Sequence, residues 1–168
     1  RGFGGGLYWG RGETVVLTCY GRAGEDRECL LSVSGEGTEG CASAAFEVRD
    51  MEWKKYELRL TAERSTTAGR LLLTLSQAGR LALDYVSLFP EKTFLGRKNG
   101  LRRDIAQLLC DMKPKFMRFP GGCLVHDGSL NPSDRDSMYR WKNTLGEPEN
   151  RPARRSNWGY NQTLGLGY

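Results

Sequence analysis

The hydrophobic period of this chain changes once, near residue 100, and that change divides what the chain can fold into. From residue 13 to residue 89, short stretches of β-branched, aromatic and leucine residues recur between glycines and charges. They predict strands over residues 14–20, 29–34, 44–49, 54–62, 70–76 and 81–89. The clearest is 54–62, where Tyr56, Leu58 and Leu60 alternate with Lys55, Glu57 and Arg59, as a strand with one wet face requires. Alternation is looser over 70–76, which predicts burial on both faces. Turn residues at Gly35-Glu36-Gly37, Thr66-Thr67-Ala68-Gly69 and Ala78-Gly79 come at intervals that favour antiparallel connections over helical crossovers. The expected architecture of this part is a β-sandwich.

Past the change, Leu101, Ile105, Leu108, Leu109 and Met112 fall at i, i+4, i+7, i+8 and i+11, which is one face of a helix. Asn99 is the expected cap, Asp104 sits in the first turn, and Pro114 stops the pattern. Arg102, Arg103 and Gln107 take the opposite face. Residues 90–100, basic and poor in apolar side chains, form the expected domain boundary. Behind the helix comes Lys113-Pro114-Lys115-Phe116-Met117-Arg118-Phe119-Pro120-Gly121-Gly122-Cys123. Phe116, Met117 and Phe119 form an apolar run too short for a helix, closed in by proline on both sides, so a buried strand and a sharp bend are expected. An arginine left unpaired in such a run is costly, which places Arg118 at the strand's carboxyl end, facing an anion or a cleft. Gly121 and Gly122 allow positive φ and the close approach of a ligand.

Further motifs follow in one order: Asn99-Gly100-Leu101-Arg102, the 113–123 stretch, Tyr139-Arg140-Trp141-Lys142, Glu149-Asn150-Arg151-Pro152 and Trp158-Gly159-Tyr160. Together they resemble glycoside hydrolase family 51, the α-L-arabinofuranosidases. The resemblance implies that residues 91–168 begin a catalytic (β/α)8 TIM barrel, with the helix as its first helix and residues 116–119 as its second strand. It implies that residues 1–90 are a jelly-roll, carbohydrate-binding-like sandwich set ahead of that helix. The implied activity is removal of terminal α-L-arabinofuranosyl residues from arabinoxylan, arabinan or related chains, with retention and without cofactor or metal. The implied substrate-binding positions are Arg118, Gly121, Gly122, Cys123 and Trp158. Arg118 would keep a nucleophilic carboxylate ionised, Cys123 would add shape and a weak hydrogen bond, and Trp158 would stack on the sugar. The family's two catalytic glutamates fall on later strands, and neither Glu147 nor Glu149 matches their motifs. The 168-residue chain, which starts at Arg1 and reads as cut at both ends, is therefore expected to be inactive by itself. A secreted or cell-envelope location is favoured over a cytoplasmic one.

Other classes find less support. A net charge of +5 raises nucleic-acid binding, but residues 1–89 hold 11 Lys and Arg against 12 Asp and Glu, and residues 90–168 hold 14 against 8. That excess is spread over a helix, a strand end and a loop, and no nucleic-acid motif accompanies it. No apolar run is long enough to span a bilayer, so no membrane partner is expected. The opening glycines miss the phosphate-loop spacing at Leu7 and Trp9. Five cysteines without a C-x-x-C pair, and one histidine, give little to a zinc site. Cys19, Cys29 and Cys41 lie close enough for one disulfide, with the pairing open. Cys123 and His126 lack the third group that orients a catalytic pair, and His126 reads as a solvated loop residue. Tyr8 and Trp9 either pack on the sandwich or present flat rings to sugar. Trp141 is expected beneath its loop, with Arg140, Arg151, Arg154 and Arg155 paired to Glu147, Glu149 and Asp136. Asn161-Gln162-Thr163 is a glycosylation sequon in form. The alternative function is that of a non-catalytic carbohydrate-binding module.

Overall fold

A computed structural model describes residues 6–24, 29–36, 42–75, 79–118, 131–133, 139–151, 154–155 and 161–162. The chain divides into two compact units, Arg1–Lys113 and Pro114–Tyr168. The first holds strands β1 (Leu7–Trp9), β2 (Thr14–Ala23), β3 (Cys29–Glu36), β4 (Ala42–Val48), β5 (Lys54–Thr61), β6 (Thr66–Leu75) and β7 (Leu81–Pro90), and helix α1 (Arg103–Asp111). The second holds 3-10 turns at Trp141–Thr144 and Pro148–Asn150, and the paired strands β8 (Arg154–Arg155) and β9 (Asn161–Gln162).

Two antiparallel sheets, ordered β1-β6-β3-β4 and β5-β2-β7, enclose one core. Successive strands mostly change sheet, and β3–β4 is the one consecutive pair among these seven that shares a ladder. Period-two alternation decides the packing. On β2, Val15, Leu17 and Cys19 face inward, in register with Leu60, Leu58 and Tyr56 of β5. Trp9, Ala42 and Ala62 complete the buried cluster, with Phe46, Leu71, Leu75 and Leu88 packed around it. Each fully enclosed leucine contributes about 1.5–3 kcal/mol relative to an exposed one. Opposite Cys19, β7 carries a bulge: Tyr20 pairs with Asp84 and Thr18 with Ser87, so Tyr85 and Val86 both sit between them. Tyr85 has φ +48, and its N–H is held by the Asp84 carboxylate at 2.7 Å.

Several expectations are corrected. The looser pattern of β6 does not mark burial on both faces: Leu71 and Leu75 join the core, but Arg70 and Thr74 are exposed. Trp9 is only 3% exposed and belongs to the core, which removes it from any sugar-facing surface. Cys19 is a free, buried thiol. Asn99 does not cap α1, because it sits in a left-handed turn at φ +51, while Arg102 occupies the cap position without a side-chain bond. Arg102 instead grips Asp104 through two 2.8 Å hydrogen bonds. No helix among the described residues is long and apolar enough to cross a membrane.

Candidate functional site

α1 ends as expected. Met112 closes it, Lys113 turns left-handed at φ +49, and Pro114 cannot donate a further helical bond. The strand expected next does not form over residues 116–118. A strand exists only by sharing a ladder, and none of the described residues pairs with this segment. Phe116 and Met117 are 86% and 78% exposed, and Arg118 is exposed beside them. Gly121, Gly122, Cys123, His126 and Trp158 lie outside the described residues.

The apolar stripe of α1 is also uncovered. Leu101, Ile105, Leu108, Leu109 and Met112 are all exposed, and Ala106 is the helix's buried residue. A contiguous apolar surface of this kind marks a contact that something else completes.

In the second unit, Thr144 is buried and donates its hydroxyl to the Trp141 carbonyl at 2.6 Å. Trp141 itself is half exposed, with the Lys142 ammonium 5.8 Å from its ring centre, so threonine rather than tryptophan fills the turn. Arg151 donates from Nη2 and Nε to the Gly146 carbonyl at 2.9 and 3.3 Å. Gly146 stands at φ +83, where a side chain would be strained.

On the sandwich, an outward face escaped the sequence reading. The Arg22 guanidinium lies 5.0 Å from the Trp53 ring centre, and the Lys55 ammonium 5.4 Å from that of Tyr20. Tyr20 and Arg22 are two apart on β2, and Tyr20 is in register with Lys55, so alternation alone would have aligned them. Charges near this face and along β5 are mutually satisfied. Asp50 raises the Lys54 pKa by a hydrogen bond, and Glu91 and then Glu57 raise that of Arg59. At the start of α1, the Arg102 hydrogen bonds hold Asp104 below the usual carboxylate range. Among the described residues no three histidine, cysteine or acidic side chains converge as metal ligands would.

A family model described as the alpha-L-arabinofuranosidase 1 domain matches residues 108–168. The chain is 37% identical to an extracellular exo-α-L-arabinofuranosidase of Streptomyces chartreusis, over 99% of this chain and 21% of that protein. It is 35% identical to α-L-arabinofuranosidase 1 of Arabidopsis thaliana, over 96% of this chain and 24% of that one. A solved arabinose-bound α-L-arabinofuranosidase of glycoside hydrolase family 51 superposes on 97% of this chain and 27% of its own, with a TM-score of 0.82 and 28% identity. The chain thus spans about a fifth to a quarter of the length of the relatives it matches.

Proposed function

This chain belongs to glycoside hydrolase family 51, the α-L-arabinofuranosidases, and from that premise we propose that the protein carrying it removes terminal α-L-arabinofuranosyl residues from arabinose-containing polysaccharides. A secreted or cell-envelope location is favoured over a cytoplasmic one, supported by the extracellular Streptomyces relative. The sandwich is residues 1–90, and residues 91–168 open a (β/α)8 barrel whose first helix is α1 and whose second strand, not formed over residues 116–118 in this chain, takes shape at 116–119 once neighbouring barrel strands pair with it. The observation that carries this reading is the exposed apolar stripe of α1. Helix and strand faces of a barrel are apolar because neighbouring strands and helices cover them. The α1 stripe has that composition and is exposed.

Arg118 then stands at the mouth of the barrel. Its exposed guanidinium orients the nucleophilic carboxylate and keeps it ionised through charge-assisted hydrogen bonds. Gly121 and Gly122 let the backbone bend close to the sugar, Cys123 shapes the pocket, and Trp158 offers a ring for stacking. Retention requires two carboxyl groups about 5–5.5 Å apart, one nucleophile and one acid/base. Glu147 and Glu149 supply neither, so the 168-residue chain alone does not turn over. The test compares this chain with the protein from its complete coding sequence on an aryl α-L-arabinofuranoside, following the product anomer by NMR. The complete protein should release the α-anomer first and the 168-residue chain should match the buffer blank. Turnover by the short chain, or none by the complete protein, overturns the proposal.

A further inference from the structure

The segment between the sandwich and α1 is bonded at its ends and across its middle. The Glu91 N–H donates to the Thr14 carbonyl at 2.9 Å, carrying the β2–β7 pairing past the last residue of β7. Thr93 and Arg102 form an antiparallel bridge, and the Phe94 N–H donates to the Leu101 carbonyl at 2.9 Å, so the intervening loop is closed at its neck. Inside the loop Thr93, only 5% exposed, donates its hydroxyl to the Arg97 carbonyl. The Gly100 N–H donates to the same carbonyl at 3.0 Å. From β5, Arg59 reaches Glu91 at 2.8 Å and Glu57 reaches Lys98 at 3.6 Å. Those exposed ion pairs are weak restraints; the neck and the buried threonine are the strong ones.

The loop's backbone is equally constrained. Leu95, Gly96 and Asn99 are all left-handed, with φ of 58, 66 and 51. A Cβ at Gly100 would come within 2.8 Å of the Arg97 carbonyl oxygen. α1 gains order from this attachment, since a helix of nine residues with one buried side chain is marginal on its own.

We infer that residues 91–102 are a rigid strut. The sandwich and α1 turn as one body, and the sandwich is not joined to that helix by a flexible tether. This mechanical claim does not rest on α1 being a barrel helix. In a weakly aligned sample of the 168-residue chain, residual dipolar couplings from β2, β5, β7 and α1 should fit a single alignment tensor. A separate, reduced tensor for α1 overturns the inference. Gly100→Ala and, independently, Thr93→Val, which removes the hydroxyl at nearly constant volume, should speed amide exchange in α1 at least 10-fold and leave β2 unchanged. Unchanged α1 exchange in both variants also overturns it. Neither readout depends on hydrolysis, so a failure of the arabinofuranosidase reading would leave these results where they fall.

Discussion

Leu17 and Leu60 are almost completely enclosed between the two sheets. Either one replaced by alanine should cost about 2–5 kcal/mol in urea unfolding, because the surrounding strands cannot close over the void. Cys19, on the same inner face, has its thiol pKa raised by burial. Such a group favours folding fully below the unfolded thiol pKa, and its contribution is lost as pH rises through the raised value. Peptide mapping after brief alkylation should find exposed Cys110 labelled and Cys19 unlabelled until denaturant is added. Equal labelling in the native protein would contradict the packing. Asp104 runs the other way. Its lowered pKa supports the fold above the unfolded carboxylate pKa and is lost as pH falls through the depressed value. The protection factors of amides at the start of α1, taken relative to their intrinsic exchange at each pH, should therefore fall in acid, and Asp104→Asn should flatten that dependence. The inward set of β2 was readable from alternation, but Trp9 was not, since a three-residue strand gives no period to judge its side by.

The strands were legible as elements because their alternation is local: every expected strand up to residue 89 overlaps an observed one. What escaped was set by partners distant in sequence. Leu71-Leu72-Leu73 suggested two buried faces for β6, whereas that strand lies between β1 and β3 with its outer face partly in water. Asn99 looked like a helix cap, but the loop closed by the Thr93–Arg102 bridge needs a left-handed residue there, a conformation asparagine tolerates. Leu95 is the poorer fit. It is left-handed and 76% exposed, with no burial to offset a strain of roughly 1–2 kcal/mol. Leu95→Gly should stabilise the first unit by about 0.5–1 kcal/mol after glycine's larger entropy loss on folding is subtracted. A drop in the urea midpoint would mean that the leucine side chain has a contact the fold depends on. The strand expected at residues 116–119 does not form over 116–118, since alternation and composition specify a strand's face but not the neighbour that must hydrogen-bond to it.

At the scale of the molecule, α1 leaves an apolar stripe exposed. The α1 stripe should bind a hydrophobic dye such as ANS, and Ile105→Gln with Leu108→Gln should lower the signal while shifting sandwich stability by no more than about 0.5 kcal/mol per site. An unchanged dye response would show that the stripe is covered in solution. The candidate site was legible mainly as motif order after residue 99, and of the positions named Arg118 alone lies in the described residues. That residue offers the sharpest test. In the protein from the complete coding sequence, Arg118→Ala should lower kcat/KM on an aryl α-L-arabinofuranoside by on the order of 100-fold or more, with the melting temperature of the sandwich unchanged. Wild-type kcat/KM in that variant would contradict the account.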